Sequence, residues 1–415
     1  MSKPITIIIA GAGGRGQTYA SYAADYPNEA QVVGVAEPIE FRRELMRTKY
    51  NIPARHVFTD WADMAKKRRF ADAVVIGTQD AMHAGPAVAF ARKGYAVLLE
   101  KPMAPTAAEC KRIVRTAVAK DVIFAVCHVM RYTGYTRKLK QVLDSGAIGE
   151  IVSVEHLEPV GYWHQAHAFV RGKWRNTAES SFMLLAKSCH DVDWLRYIVG
   201  APCKAVSSFG SLKHFRKECA PVGAADRCLD CPVEPTCCYS AKKIYLGRIA
   251  KGHTGWPVNI IDGPITMETV TEALRTGPYG RCVYHCDNDV VDHQTVNFLY
   301  GEDRTAVFTM TAFNQAGHRR TRIFGTKGSL YSDGVTLEVT DFLTDAVTRI
   351  DTNTSDATIL GGHGGGDFGI MQAFVSAVST GDRSKILSGP TESLETHLTV
   401  FAAEKARLTG KVVSL

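Results

Sequence analysis

A glycine-rich turn near the start of the chain constrains the fold more than any other feature. It directly follows the apolar, β-branched run at residues 5–10 and reads Gly11-Ala12-Gly13-Gly14-Arg15-Gly16. In a G-x-G-x-x-G turn the first glycine permits a tight bend, the second lets the backbone approach a pyrophosphate, and the third lets a helix lie close to the strand. The pattern therefore predicts a strand, a dinucleotide-binding turn and a helix in succession.

The acidic residue that such a site needs is also present. Glu37 ends the second apolar run, about twenty residues further on, where a carboxylate hydrogen bonds a ribose 2′-hydroxyl and repels a 2′-phosphate. We therefore expect NAD rather than NADP as the cofactor. Arg42 and Arg43 lie close by in sequence, and a basic residue there could accommodate a 2′-phosphate.

Strand and helix patterns alternate along the first 130 residues, which predicts a doubly wound parallel sheet of the Rossmann type. Later segments read as a mostly antiparallel open sheet with helices, which makes an α+β unit. We expect a Rossmann domain at 1–130 and a substrate-binding and oligomerisation domain at 131–415, with a Cys-rich insertion at about 203–290. The predicted helices are at 84–92, 107–119, 137–146, 183–199, 367–380 and 391–409. The predicted strands are at 5–10, 32–36, 73–76, 96–99, 123–126, 151–156, 291–300, 305–313, 320–324 and 336–340.

Composition excludes several classes of protein. Of 415 residues, 45% are hydrophobic and 22% are charged, which is ordinary for a globular chain and unlike a disordered or collagenous one. No apolar run approaches the roughly 18 residues of a membrane span. The net charge of +7 is mild for this length, and the densest basic run, at 66–69, is short. We therefore expect a cytoplasmic protein that binds a small molecule, neither nucleic acid nor membrane.

Two further segments carry a family likeness. Thr78-Gln79 and His83 follow the third strand pattern, and Glu100-Lys101-Pro102 follows the fourth. With the glycine turn, they make the chain resemble the Gfo/Idh/MocA family of NAD(P)-dependent sugar and polyol oxidoreductases. The resemblance implies NAD as cofactor, a small sugar as substrate, and a homodimer or homotetramer built on the open sheet. The cofactor-binding residues that it implies are Gly11, Ala12, Gly13, Gly14, Arg15, Gly16, Glu37, Thr78, Gln79, His83, Glu100, Lys101 and Arg131.

Three residues are candidates for catalysis. Lys101 ends a strand at the sheet edge where α/β folds place their ligands, so its ammonium can hydrogen bond a substrate hydroxyl. His190 lies in the predicted helix 183–199 and can act as a general acid or base near neutral pH. The family pattern Asp-x-x-x-His places an aspartate where this chain has Ala186. Lys187 comes next, three residues before His190 on the same predicted helical face, and we expect it to replace the carboxylate and to make the pocket more positive.

Residues 162–176 are rich in aromatic, cationic and amide side chains, a mixture that suits a sugar. The arginines and the lysine of this segment could also clamp an anionic group. The alternative is a loop with a buried tryptophan and solvated arginines. The candidate substrate-binding residues are Tyr132, Tyr162, Trp163, His164, Arg171, Lys173, Trp174 and Arg175.

A cluster of cysteines marks the insertion. Cys228-x-x-Cys231 presents two thiolates with metal-ligand spacing, and Cys237 is the third ligand that we predict for a structural zinc. We assign Cys286 as the fourth, with Cys219, Cys238 and Cys282 as alternatives. Zinc would stabilise a loop without a core of its own. The alternatives are reduced cysteines and an iron–sulfur centre.

The leading functional hypothesis is an NAD-dependent sugar or polyol dehydrogenase that transfers hydride at a carbinol carbon. The alternative is an NAD-dependent glycoside hydrolase. It would use transient C3 oxidation, C1–C2 elimination, water addition and re-reduction, on an anionic sugar such as a sulfoquinovoside. A third hypothesis is an NAD(H)-binding sensor without activity.

Overall fold

Two β-sheets organise the protein in the computed structural model, which describes residues 3–352 and 362–415. The first sheet is formed by β1 (Ile5–Ala10), β2 (Ala30–Ala36), β3 (Val57–Phe58), β4 (Ala73–Ile76), β5 (Ala96–Leu99) and β6 (Phe124–Val126). All of its strand pairs are parallel, and the order is β3-β2-β1-β4-β5-β6. Strands β1, β4 and β5 are buried almost throughout, as their unbroken apolar runs predict for a sheet that is covered on both faces. The predicted Rossmann-type sheet is confirmed.

The second sheet is mixed. Its strands are β7 (Ile151–Pro159), β8 (Cys203–Ser211), β9 (His293–Tyr300), β10 (Arg304–Thr311), β11 (Arg320–Gly325), β12 (Gly328–Ser332), β13 (Thr336–Asp341), β14 (Val347–Asp351) and β15 (Val413–Ser414). In the described residues the order is β14-β13-β12-β11-β7-β10-β9-β8-β15. Only the β7–β10 pair among them is parallel. The expected open, mostly antiparallel sheet is confirmed.

The helices of the described residues connect and cover these sheets. They are α1 (Gly14–Asp25), α2 (Glu40–Lys49), α3 (Trp61–Lys66), α4 (Ala84–Arg92), α5 (Ala107–Ala119), α6 (Gly134–Asp144), α7 (Tyr162–His164), α8 (Met183–Ala186), α9 (Cys189–Val199), α10 (Gly247–Ile249), α11 (Met267–Thr276), α12 (Gly366–Thr380) and α13 (Pro390–Thr409). Caps explain several starts, since Thr106 caps α5 and Thr133 caps α6 through their hydroxyls. None of the helices in 3–352 and 362–415 combines the length and the apolar composition that a bilayer crossing requires.

The single helix predicted for 183–199 is wrong in one respect. The structure breaks it into α8 and α9 at Lys187 and Ser188, and Lys187 has φ −108° and ψ −59°. The rule that residues three apart share one helical face therefore does not apply across this break. Gly200 ends α9 in the left-handed conformation, as the sequence predicts.

The last two helices tie the two sheets together. Ile370, Met371 and Phe374 of α12 belong to the apolar core on one face of the first sheet. Val400 and Ala403 of α13 belong to the core of the second sheet. The carboxyl edge of the first sheet consequently lies against α8 and α9, and the candidate active site forms at that junction.

The insertion has an apolar core of its own, contrary to expectation. Phe215, Tyr239, Tyr245 and Tyr284 are buried in it together with other apolar side chains from 166 to 312. Its chain from 212 to 241 nevertheless contains only single-turn helices and one isolated bridge in the way of regular structure.

Candidate active site

The glycine turn has the shape that a pyrophosphate requires. Gly11 has φ +89°, and a Cβ there would lie 2.7 Å from the carbonyl carbon of Gly77. A Cβ at Gly16 would lie 2.0 Å from the Gly11 carbonyl oxygen. At Gly14, by contrast, an added Cβ meets no described atom within 4 Å. The first turn of α1 therefore offers backbone N–H groups beside open space, an arrangement that binds phosphate.

Glu37 lies against this turn. It is 4% exposed, and its Oε2 accepts a 2.7 Å hydrogen bond from the Ala12 N–H. The two nearby arginines are both engaged elsewhere. Arg42 pairs with Asp262 of the insertion at 2.8 Å, and Arg43 donates to the Glu37 carbonyl oxygen at 2.8 Å. Both guanidinium groups have partners, and the Glu37 carboxylate makes this corner of the site unfavourable for a 2′-phosphate.

The loops after β4 and β5 are joined by a histidine. His83 lies 2.7 Å through Nδ1 from the Pro102 carbonyl oxygen and 3.1 Å through Nε2 from that of Thr78. Gln79 begins the short turn between these residues. The Thr78 hydroxyl is buried and has no hydrogen-bond partner among the described residues. An orphaned hydroxyl beside the glycine turn, together with the open phosphate cradle, fits a bound dinucleotide.

Glu100 is fixed by the glycine turn itself. Its Oε1 accepts from Arg15 Nε at 2.6 Å and from the Tyr19 hydroxyl at 2.7 Å, while Oε2 accepts from the Lys101 N–H at 2.7 Å. Burial opposes its charge, but Arg15 and then Lys101 hold the pKa of Glu100 below its ordinary value. Arg15 also pairs with Asp367 of α12 at 2.5 Å. Glu100 therefore orients the chain from which Lys101 projects.

Lys101 reaches from the first sheet to helix α8. Its Nζ donates a 2.8 Å hydrogen bond to the carbonyl oxygen of Ala186, the last residue of α8. His190 lies in the first turn of α9, is 4% exposed, and has its ring 6.1 Å from that of His128. The structure thus places the Lys101 ammonium beside the α8–α9 break, at the residue where the family pattern has its carboxylate.

Lys187 is balanced by a carboxylate that the sequence analysis did not identify. Its Nζ lies 3.1 Å from Oε1 of Glu158, which is buried near the end of β7. Arg319 lies 2.8 Å from the other carboxylate oxygen and also pairs with Asp191. The expected gain of positive charge in the pocket is therefore offset locally. The sequence contained one sign of this carboxylate: Glu158 occupies a position of β7 where strand alternation predicts a buried side chain.

Asp191 is held by two partners. Besides Arg319, its Oδ1 lies 3.1 Å from Nε2 of His156. Burial opposes ionisation, but Arg319 and then His156 hold the pKa of Asp191 well below its ordinary value. Asp191 therefore joins α9 to β7 and to the residue before β11, and it is the partner that fixes Arg319 beside Glu158.

Arg131 and Tyr132 are held by contacts with the C-terminal part of the chain. The Arg131 side chain is fully buried, and it forms a bidentate pair with Asp193 at 2.7 and 2.8 Å. The Tyr132 hydroxyl accepts from the Leu387 N–H at 2.8 Å and lies 3.0 Å from the Ser388 hydroxyl. Their described contacts join the two sheets and include no residue of the glycine turn.

The aromatic part of the 162–176 segment lies beside the catalytic candidates. Burial lowers the pKa of His164 well below its ordinary value, with Lys187 as the next cause and Lys101 a smaller one. The Trp163 ring lies 5.1 Å from that of Trp256, and Arg248 lies 4.2 Å above it. Tyr162 continues this aromatic surface and is half-buried. His164 thus lies near the two lysines, while Trp163 and Tyr162 pack against the core of the insertion.

The cations of that segment are dispersed. Lys173 lies 4.6 Å above the Trp174 ring; burial lowers its pKa, which Asp80 opposes. Arg175 pairs with Asp287 at 2.9 Å at the surface. Arg171 is buried in the insertion, where its Nη2 lies 3.3 Å from the Cys228 sulfur. The structure does not bring these three cations together as one anion clamp.

The predicted zinc site is not supported. Within residues 3–352 and 362–415, no three His, Cys, Asp or Glu side chains are arranged to hold one metal ion. Cys286 instead donates from its thiol to the Cys282 carbonyl oxygen at 3.2 Å. Cys228, Cys231 and Cys237 line a cavity, but their sulfurs do not converge on a single point as tetrahedral zinc requires.

Curated relatives match part of the chain. A 2,7-anhydro-N-acetylneuraminate hydratase of Mediterraneibacter gnavus is 28% identical over 153 residues, which is 37% of this chain and 40% of that protein. Inositol 2-dehydrogenase 1 of Saccharopolyspora erythraea is 34% identical over 131 residues, which is 31% of this chain and 36% of that protein. The matches thus span about two fifths of these relatives.

Likeness to solved structures extends over the whole fold. A levoglucosan dehydrogenase in complex with NADH and levoglucosan aligns with a TM-score of 0.72 at 16% identity and covers 99% of each chain. Residues 5–128 match the model of an oxidoreductase family with an NAD-binding Rossmann fold. Residues 140–415 match that of the same family's C-terminal alpha/beta domain. This protein therefore belongs to the Gfo/Idh/MocA oxidoreductase family.

Proposed function

We propose that this protein is an NAD-dependent oxidoreductase that transfers hydride at a carbinol carbon of a sugar or polyol. The observation that carries the proposal is the position of Lys101. Its Nζ ends 2.8 Å from the Ala186 carbonyl oxygen, at the junction of the two sheets and next to the α8–α9 break. Inositol and levoglucosan dehydrogenases among the similar proteins support the substrate class.

The residues that would hold NAD are those of the glycine turn and the loop after β4. The free N–H groups of α1 would hold the pyrophosphate, and Glu37 would hydrogen bond the adenosine ribose. His83 keeps the Thr78 loop and Pro102 in register through its two ring nitrogens. When bound, NAD supplies the hydride acceptor or donor, which no side chain of the chain can provide.

In this proposal, protein side chains accept the proton of the reacting hydroxyl. Lys101 Nζ hydrogen bonds the hydroxyl oxygen and polarises it, and His190 accepts the proton and passes it to solvent. The Lys187–Glu158 pair, 3.1 Å apart, offers a donor and an acceptor to neighbouring hydroxyls. Trp163 and Tyr162 supply flat apolar surface for the C–H face of the sugar.

A sugar and polyol screen tests this proposal. NADH formation should match substrate consumed, and Lys101→Met should lower the turnover number by about 10²–10⁴-fold, the usual range for a lost acid–base group. Lys111→Met, an exposed lysine of α5, is the matched control and should stay within a few-fold of wild type. Unchanged turnover in Lys101→Met would overturn the assignment.

A second function is supported by two specific observations. The family's carboxylate position is occupied by Ala186, whose carbonyl oxygen receives Lys101, and one relative is a 2,7-anhydro-N-acetylneuraminate hydratase. The alternative is an NAD-dependent glycoside hydrolase that oxidises C3 transiently, eliminates, adds water and returns the hydride, with an anionic sugar such as a sulfoquinovoside as substrate. Aryl glycosides distinguish the two functions. A hydrolase releases the phenol without forming net NADH and incorporates solvent deuterium at C2. A dehydrogenase does not release the phenol and does not incorporate deuterium at C2.

We also propose that the protein is a homodimer or homotetramer that associates through the outer face of the second sheet. Strands β8, β10, β11 and β12 each expose one large apolar side chain on this face, and the exposed fractions are 38% or more. These residues are Phe209, Val307, Phe324 and Tyr331. Exposed apolar side chains among polar ones on one sheet face are compatible with an interface between copies of the chain. A strictly monomeric mass in light scattering at micromolar concentration would contradict the proposal.

A further inference from the structure

His128 is buried completely and uses neither of its ring nitrogens. It follows β6 at the carboxyl edge of the first sheet, beside β5, which leads into Lys101. Its exposed fraction is 0%, and neither Nδ1 nor Nε2 has a hydrogen-bond partner within residues 3–352 and 362–415. Its backbone is fixed, because the N–H donates to the Val126 carbonyl oxygen at 2.6 Å and the carbonyl oxygen accepts from the Arg131 N–H at 3.1 Å. The ring is therefore held in place with two polar atoms unsatisfied.

Such a ring lowers the stability of the fold, since buried polar atoms normally have partners. The neighbouring His397 has the ordinary arrangement. Its ring centroid lies 5.7 Å from that of His128, and it is equally buried. Both of its nitrogens are bonded, Nδ1 to the Ser393 carbonyl oxygen and Nε2 to the Met103 N–H. An apolar side chain would serve packing better at position 128, which points to a task for the His128 nitrogens beyond packing.

The His128 ring lies against the face of α9 that carries His190. His190 and Asp193 are three residues apart in this helix and therefore share one face. Nε2 of His128 lies 3.6 Å from Oδ1 of Asp193, and the His128 ring centroid lies 6.1 Å from that of His190. Asp193 is fixed in turn by Arg131 at 2.7 Å and by the Thr396 hydroxyl, which donates at 3.0 Å. His128 is consequently the link between an anchored carboxylate and the His190 ring.

Asp193 determines which nitrogen of His128 carries the proton. Burial lowers the pKa of His128 to about 3, against the opposing effect of Asp193. The positive charges of Arg131 and Lys101 also disfavour a second proton, so the ring is neutral near pH 7. The carboxylate at 3.6 Å favours the proton on Nε2, which leaves Nδ1 as an acceptor only. Since His190 is 4% exposed and His128 is not exposed at all, His128 can act on a ligand only through His190.

We propose that His128 is a positioning residue for His190: its Nδ1 accepts a hydrogen bond from the His190 ring when the nucleotide occupies the junction. The second nitrogen of His190 then carries the lone pair that takes the proton of the reacting hydroxyl. This inference rests on the proposed function of His190 in hydride transfer. The two rings are not hydrogen bonded in this structure, so the His190 ring has to turn toward His128. His128 itself forms and breaks no covalent bond.

Stability and activity should respond in opposite directions to the loss of this ring. His128→Leu removes two unsatisfied polar atoms from the interior, so its urea midpoint should equal or exceed that of the wild-type protein. Its kcat should nevertheless fall by about tenfold or more, with KM nearly unchanged, because the group that fixes the tautomer of an acid–base histidine is gone. His128→Asn, whose side-chain oxygen stands near the place of Nδ1, should recover part of kcat. His397→Leu is the matched control for burial and should lower the urea midpoint, because it leaves the Met103 N–H unsatisfied.

Imidazole NMR tests the inference without an activity assay. In protein with ¹⁵N-labelled histidine and bound NADH, the ring nitrogen shifts report which nitrogen of His190 is protonated. The His190 signals, assigned by their loss in His190→Gln, should show one predominant tautomer in the wild-type protein and a mixture of both in His128→Leu.

An unchanged His190 tautomer in His128→Leu contradicts the inference, even if the wild-type protein is an active dehydrogenase. A lowered urea midpoint in His128→Leu with wild-type kcat also contradicts it, because that result assigns His128 to packing alone. A wild-type protein that oxidises no sugar counts against the proposed function, whereas the tautomer comparison still decides whether His128 positions His190.

Discussion

Protonation of His397 should destabilise the protein as the pH falls below neutrality. His397 lies fully buried in α13, where its Nε2 accepts a 2.8 Å hydrogen bond from the Met103 N–H. The ring therefore carries its proton on Nδ1, which donates to the Ser393 carbonyl oxygen at 2.7 Å. A second proton would face the Met103 N–H at a position that is fully buried. Burial accordingly lowers the pKa of His397 to about 4.

The magnitude follows from linkage. The ordinary pKa of 6.5 applies to the unfolded chain, so as the pH falls the unfolded state binds the proton first. The contribution of His397 is fully present above the unfolded pKa and is lost as the pH falls toward the folded one. At pH 5 the loss is about 2 kcal/mol, and between pH 6.5 and 5 the slope is about 1 kcal/mol per pH unit.

Urea unfolding at a series of pH values measures this slope. His397→Gln should reduce the pH dependence of the unfolding free energy in that window by about 1 kcal/mol per pH unit, whatever its effect on stability at pH 8. His253→Gln is the control, since His253 is exposed and should leave the slope unchanged. An unaltered slope in His397→Gln would refute the buried neutral state that we assign to this ring.

Three further substitutions test the cofactor site and the junction. Gly16→Ala should abolish NADH binding in calorimetry, because its Cβ would lie 2.0 Å from the Gly11 carbonyl oxygen; wild-type affinity would contradict the geometry of the turn. Glu37→Ala should lower the ratio of the NADPH dissociation constant to the NADH dissociation constant by more than tenfold. An unchanged ratio would show that Glu37 does not bind the ribose. Asp193→Asn should lower the unfolding free energy by about 3 kcal/mol, because the buried Arg131 guanidinium then keeps only the half-exposed Glu392 as an anionic partner; a loss below about 1 kcal/mol would show that the Arg131–Asp193 pair is dispensable.

Local patterns predicted the cofactor half of the site. The turn at 11–16, its flanking strand and helix, and Glu37 are defined by sterics and apolar runs within a few tens of residues, and the structure has them in place. The Lys101 position followed from a strand end, which is also local information. The two-sheet architecture could be predicted for the same reason, because the spacing of apolar residues identifies each strand and helix separately.

The substrate half depended on contacts that single-sequence patterns do not contain. Glu158 meets Lys187 only after β7 and the α8–α9 segment come together, 29 residues apart in the chain. The helix break at Lys187 interrupts an apolar period that looks continuous in sequence. The sequence predicted Arg171 to be a solvated or ligand-binding cation, because a charged residue is normally exposed. In the structure it is buried in the insertion beside Cys228. Long-range pairing of this kind decides which charged residues face a ligand.

The central claim is that the glycine turn holds a nicotinamide dinucleotide whose reactive ring lies beside Lys101. A crystal structure of the protein grown with NADH tests it most directly. We predict the pyrophosphate at the N–H groups of the first turn of α1, the adenosine ribose at Glu37, and the nicotinamide within contact of Lys101 Nζ. A nucleotide bound elsewhere, or a nicotinamide ring remote from Lys101 with the pyrophosphate in place, would contradict the account.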